Sequence, residues 1–483
     1  RFSEVRNKGV APPCFPASPF GEQQMQTQVF FKTVKDVRML HVVFPIPDQE
    51  PFFRTKPAQF LSHFIGHEGQ GSILSHLKNK GWSNRLSAGA TDGANGFEFF
   101  KISVDLTKEG LANYDEVVAA IFKYIELLRD GSSLQEWAFK EVQQLGELSF
   151  RFKEKLPPSS YASQLAAQMQ VDYPREWLLS GPYLTRDFNV DLIKGLLDQL
   201  KPTTCRVFVA AQQMPDGSEA WDKKEKWYGT DYKLMGLPQK LLQFQTQAKA
   251  AEDLALPKPN TFIPENFDVP GKDQAGQIPP LKQPQMLINS QMTRLWHKKD
   301  DRFWLPKANV FMLLRSPLID ATPSNAVKSR IFVELVKDAL TEYSYDAELA
   351  GLGYNIESQA DGIGIAVDGY NDKLSVLAQY ILETIAFFKV DPKRFEILKD
   401  QVKRSYQNFK LEAPYQHANY YTTYLLMERM WTAEEKLAEL ETLSAEEVQR
   451  FLPELLGRLH IEMLAHGNVQ REDAIKLKDM TES

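Results

Sequence analysis

The stretch Leu61-Ser62-His63-Phe64-Ile65-Gly66-His67 puts two histidines at helical i and i+4 spacing, with glycine where an inverted zinc motif, H-x-x-E-H, carries glutamate. In such a motif the two imidazoles hold the metal and the glutamate takes a proton from the bound water. Gly66 has no side chain to do this, so His63, Gly66 and His67 read as a degenerate zinc helix with no catalytic role. Gly66, Gly69 and Gly71 would each cost about 1 kcal/mol relative to alanine inside a helix. The helix starting near Pro57 is therefore expected to end at His63 to Ile65, and a second to start with Ser72 as N-cap and close at Gly81. Such a break argues against both imidazoles sharing one face, and no metal is expected here. Were a metal bound, Glu141 or Glu147 on a later helix would be the third ligand.

Working outward, an apolar strand, Val37 to Phe44, precedes this segment and is expected to end at Pro45. The same order recurs roughly 270 residues later, the mark of an internal duplication. Val310 to Leu314 runs toward Pro317, and a helical pattern covers Ser324 to Leu340. Ile102 to Asp105 matches Ile365 to Asp368, each after a Gly-containing turn. Helical patterns follow at Tyr114–Arg129, Gln135–Phe152 and Val190–Leu200, then a strand at Arg206–Ala210. In the second copy they lie at Leu374–Phe388, Pro392–Asn408 and Ala445–Leu456, before a strand at Leu459–Leu464. The expected class is α+β: two homologous αβ domains, each a mostly antiparallel sheet covered by helices.

The chain has 483 residues, 43% hydrophobic, enough for two or three domains with full cores. A net charge of −6 provides no basic footprint for nucleic acid or an anionic membrane. Cys14 and Cys205 make no disulfide framework, which fits a reducing, intracellular (cytoplasmic) setting. The start at Arg1, without an initiator Met, suggests a sequence that begins partway through a longer protein. Proline-rich stretches mark the connectors. The expected organisation is a connector and domain tail over 1–31, a first αβ unit over 32–265, a Pro-rich linker over 266–285 and a second αβ unit over 286–483.

Several long stretches carry a resemblance: Phe44-Pro-Ile-Pro-Asp48, His63-Phe-Ile-Gly-His-Glu-Gly69, Phe150-Arg-Phe-Lys153, Glu225-Lys-Trp-Tyr-Gly-Thr230, Ala347-Glu-Leu-Ala-Gly-Leu352, Gly369-Tyr-Asn-Asp-Lys373 and Arg458-Leu-His-Ile-Glu462. Over nearly its whole length the chain resembles the inverted-zinc metallopeptidases of the pitrilysin, or insulin-degrading-enzyme, family. That resemblance implies four homologous domains of the LuxS/MPP-like metallopeptidase type enclosing a chamber, with zinc in the first. The chain would hold the second and third domains; the first and fourth, its partners in the chamber, would lie outside it, and zinc with them. No cofactor is expected in the chain itself.

The glycine loop from Gly66 to Gly71 stands beside a small-residue strand around Leu86-Ser87-Ala88-Gly89, a combination that lets another backbone approach closely. An extended peptide could add to such an edge, with Glu68 meeting its free α-amino group. The resemblance implies the same, an exosite anchoring the substrate amino terminus at Gly66, Glu68, Leu86, Ser87, Ala88 and Gly89. Ala90 departs from the family, where a polar amide stands. The competing reading is an ordinary edge strand with a glycine turn. Glu154 matches a family acid that latches the two halves of the enzyme. Pro157 and Ser159 replace arginines of an anion-responsive patch, so that regulation does not carry over. His41, His76, His297, His417, His460 and His466 show no metal spacing, and Tyr415, Tyr420, Tyr421 and Tyr424 read as helix packing.

The function expected is that of a non-catalytic middle part of a zinc metalloendopeptidase of small peptides, anchoring substrate and walling the chamber, with a homodimer as a further partner. The alternative is a naturally non-catalytic scaffold like the core subunits of processing peptidases. A weak metalloenzyme using His63, His67 and a helix acid would need another base, and the sequence offers none.

Overall fold

A computed structural model describes residues 3–6, 8–11, 13–15, 18–21, 23–129, 136–242, 253–274, 276 and 279–483. The start of the helix expected at Gln135 lies outside them. Contacts divide the chain into two compact units, 1–259 and 260–483.

The strands of the first unit are β1 (Thr27–Lys32), β2 (Met39–Pro47), β3 (Ser83–Ala94), β4 (Phe97–Leu106), β5 (Arg206–Ala211), β6 (Lys223–Lys224) and β7 (Asp231–Gly236). Its helices are α1 (Pro57–Ile65), α2 (Ile73–Lys80), α3 (Lys108–Ala112), α4 (Tyr114–Arg129), α5 (Glu136–Arg151), α6 (Pro158–Gln168), α7 (Val190–Leu197) and α8 (Gln239–Leu242). The sheet order is β3-β4-β2-β5-β1-β7-β6, antiparallel except for β1 beside β5. β1 begins at Thr27, inside the segment expected as connector.

The second unit contains β8 (Gln285–Asn289), β9 (Thr293–Lys299), β10 (Lys307–Arg315), β11 (Leu352–Ser358), β12 (Gly362–Tyr370) and β13 (His460–Gly467). Its helices are α9 (Pro323–Leu349), α10 (Asn371–Ala386), α11 (Pro392–Phe409), α12 (Pro414–Leu426), α13 (Ala433–Thr442), α14 (Ala445–Leu456) and α15 (Arg471–Glu482). The order β11-β12-β10-β13-β9-β8, again with one parallel pair, β9 beside β13, reproduces the first five positions of the other sheet. Duplication and α+β class are thus both visible in the strand order. Phe262, in the stretch before the expected linker, packs into this second core, and the Asn260 side chain donates to the Asp346 carbonyl at 2.7 Å.

Each sheet buries alternate residues under its helices. Leu40, Val42 and Phe44 of β2 and Ile102 and Val104 of β4 face the Val117–Leu128 side of α4; Val310, Met312 and Leu314 of β10 do the same in the second core. β2 does not stop at Pro45 but pairs with β4 as far as Pro47. Its other neighbour, β5, ends opposite Val43, so the missing proline N–H interrupts no ladder on that side. The Ser324–Leu340 pattern also underestimates α9, which runs 27 residues without a break. The tyrosines of α12 are not core: no residue of that helix is buried, although the Tyr420 ring lies tilted against Phe409 with centroids 4.6 Å apart and its hydroxyl accepts from Ala433 N–H. Among the described residues no helix is long and apolar enough to cross a membrane.

Candidate peptide-anchoring site

The two repeats differ at the position that matters most here. Where the second unit has uninterrupted α9, the first has α1, a glycine loop and α2. α1 starts with Pro57 at its first turn and buries Phe60, Leu61, Phe64 and Ile65 along one stripe. Gly66 caps it, its N–H donating to Ser62 O at 2.9 Å. Ser72 caps α2 by accepting from Ser75 N–H at 3.1 Å, and Gly81 ends it in the left-handed region at φ 80°. The break and both caps stand where the glycines and Ser72 placed them.

The break does not separate the imidazoles, contrary to the expectation from helix geometry. The rings of His63 and His67 lie edge to face with centroids 6.1 Å apart. Phe188 bridges Phe60 of α1 and Phe139 of α5, which brings Glu141 to 3.4 Å from His63 Nε2, both side chains nearly buried. Glu147, the other acid considered, faces Arg186 instead. His67 Nδ1 accepts the Gly69 N–H at 3.0 Å, tying that nitrogen into the loop. Among the described residues no three His, Cys, Asp or Glu side chains are placed to hold a metal ion. With no acid at position 66 and one His67 nitrogen taken, this donor set does not fit a catalytic zinc.

Leu86, Ser87, Ala88 and Gly89 lie on β3, the outermost strand of its sheet, in register with Val104, Ser103, Ile102 and Lys101 of β4. Leu86 is buried, Ser87 exposed and Ala88 half-buried, the alternation of a strand with one face on the core. The end of α1 comes down beside this strand. A Cβ on Gly66 would sit 3.4 Å from Ala88 N and 3.5 Å from Ala88 O, and one on Gly89 would sit 3.3 Å from Ser62 Oγ. A methyl at 66 would therefore contact both polar backbone atoms of Ala88. Glu68 is half-buried on the same loop. Gly66, Glu68, Leu86, Ser87, Ala88 and Gly89 are thus parts of one loop-and-strand neighbourhood, whereas Glu154 is exposed between α5 and α6.

A strap that sequence reasoning missed holds the loop from behind. Ala255 N–H donates to Gly71 O at 2.9 Å, Leu254 is buried in the core, and Asp253 Oδ2 lies 2.7 Å from His76 Nδ1 on α2. Gly71 is at φ +83°, and a Cβ there would meet Ala255 Cβ at 2.9 Å. The signal was a glycine whose partner lies far along the chain.

The first 145 residues match the family described as the peptidase M16 inactive domain, and residues 150–439 match the middle or third domain of peptidase M16. The chain belongs to the peptidase M16 family. Among its M16 relatives, human insulin-degrading enzyme is 41% identical over 482 residues, 100% of this chain and 46% of that protein. The A-factor-processing enzyme of Saccharomyces cerevisiae is 36% identical over 484 residues, again 46% of its length. The chain thus spans about half the length of the curated relatives it matches. The crystal structure of pitrilysin superposes with a TM-score of 0.67 over 99% of this chain and 50% of that one, at 22% identity, a likeness of M16 fold. The resemblance read from the sequence is borne out.

Proposed function

We propose that this chain is a non-catalytic portion of an intracellular zinc metalloendopeptidase of small peptides, and that it anchors the amino-terminal end of the substrate at the outer edge of β3. Zinc and the cutting residues would belong to another domain of the longer protein. The observation that carries this reading is the pairing of an outermost strand with a helix that stops short beside it, in the one repeat whose helix is broken by glycines.

An added strand would gain about 0.5–1.5 kcal/mol net per backbone hydrogen bond, largely independent of its side chains. Glu68 supplies a carboxylate on the adjoining loop for the α-amino group, a contact worth roughly twice a neutral hydrogen bond. Together these select a free amino terminus rather than a particular sequence.

The test is fluorescence titration of the chain with a labelled peptide, free or acetylated at its amino terminus, alongside Glu68→Gln. The expected result is tighter binding of the free form, with the difference abolished in the variant and no cleavage in any sample. Indifference to acetylation would remove Glu68 from the reading, and no binding at all would favour a scaffold.

A further inference from the structure

In the second unit, α9, α11, α13 and the turn from β11 to β12 line a cavity of about 430 Å³. Its wall carries an excess of positive charge: Arg330 and Lys337 on α9, Arg429 after α12 and Lys436 on α13, against Asp320, Glu334 and Glu357. Among the described residues none of Arg330, Arg429 and Lys436 has a carboxylate within ion-pair distance. Arg330 is held instead by Ser405 Oγ at 3.0 Å and by the Tyr406 ring, 4.7 Å below its guanidinium.

Burial pulls the Lys436 ammonium below its usual range; Asp320 acts the other way, and Arg330 adds to the lowering. Burial raises the Asp320 carboxyl, and the charges of Lys436 and Arg429 act the other way. Arg330 and Lys436 thus act on each other across the cavity, and Asp320 attracts Lys436 without closing an ion pair with either cation. The wall also carries Tyr406, Met427, Met430 and Trp431, beside the polar Ser358 and Gln359. Trp431 is locked in place by its indole N–H donating to the Asp320 carbonyl at 3.1 Å. An anion entering here would meet cations that have no ion-pair partner in the wall, and an attached ring would find an aromatic surface.

We propose that this cavity binds a small organic anion, a phosphate or carboxylate attached to a flat apolar group, with its charge between Arg330 and Lys436 and its ring against Tyr406 and Trp431. The reading is independent of peptide anchoring, which belongs to the other unit.

Calorimetric titration of the full chain with phenyl phosphate, benzoate and inorganic phosphate tests it, circular dichroism confirming that each variant is folded. Saturable binding of phenyl phosphate or benzoate is expected, tighter than that of inorganic phosphate. Arg330→Gln and Lys436→Leu should each weaken it about tenfold, the loss of one charge-assisted contact. Lys436→Arg should keep it, and Lys476→Gln, at an exposed cation on α15, should leave it unchanged. The proposal is overturned if none of the three anions saturates the chain, or if Arg330→Gln and Lys436→Leu bind within about twofold of the parent. Inorganic phosphate binding as tightly as phenyl phosphate would overturn the assignment of the aromatic wall.

Discussion

His76 Nδ1 on α2 lies 2.7 Å from Asp253 Oδ2, and two residues further on Ala255 N–H meets Gly71 O, so one short segment grips both the glycine loop and the helix it leads into. Burial raises the Asp253 carboxyl, but the hydrogen bond and charge of His76, together with a backbone N–H and Lys80, leave it below the usual carboxylate value. A depressed folded-state value means the contribution is present above the ordinary value of 3.8 and is lost as pH falls through the folded one. With Asp253 about half exposed, the pair is worth about 1 kcal/mol at neutral pH. Asp253→Asn should therefore cost about that much at pH 7 and nearly nothing in strong acid, with faster amide hydrogen exchange in 69–76. Unchanged exchange would remove the strap's hold on the loop.

His41 lies on β2 with Nδ1 3.0 Å from Ser103 Oγ, and burial, assisted by the charge of Lys101, lowers its pKa to about 4. Its folded value is below the free value of 6.5, so the neutral ring contributes stability at pH 7 that is lost as pH falls from 6.5 toward 4. Discounted for the solvent that still reaches the ring, a shift of this size corresponds to roughly 1–2 kcal/mol. Urea unfolding across that range should show the first unit weakening with acid, and His41→Gln should flatten the dependence. An equally steep dependence in the variant would assign it to other groups.

Gly66→Ala places a methyl 2.9 Å from Ser62 O and against the Ala88 backbone. The steric cost should be about 1 kcal/mol, small enough to keep the fold. Peptide affinity should fall more than that cost implies for folding, because the methyl covers the Ala88 N and O. Binding unchanged in the folded variant would place the peptide elsewhere.

Arg394 on α11 makes two bonds to Asp338 on α9, at 2.8 and 2.7 Å, with both side chains largely buried. Arg394→Ala takes two charge-assisted hydrogen bonds from a largely buried carboxylate and should cost about 3–5 kcal/mol. Denaturation should show the loss in the second unit alone, and a loss below 1 kcal/mol would mean water replaces the guanidinium.

Local chemistry determined much of this protein. The ends of α4 and α14, the N-cap at Ser72, the left-handed Gly81 and the missing acid at Gly66 all follow from signals that act over one helical turn, and a sequence carries these in full. The repeat itself was legible because matching strands keep their order along the chain. Only the tertiary structure decided that β3 is outermost, that β1 slips in parallel to β5, that Glu141 meets His63 and that Asp253 clasps His76. Each of these joins residues far apart in sequence, where the choice of partner depends on how whole sheets and helices bury their apolar faces together, and no local pattern records that choice.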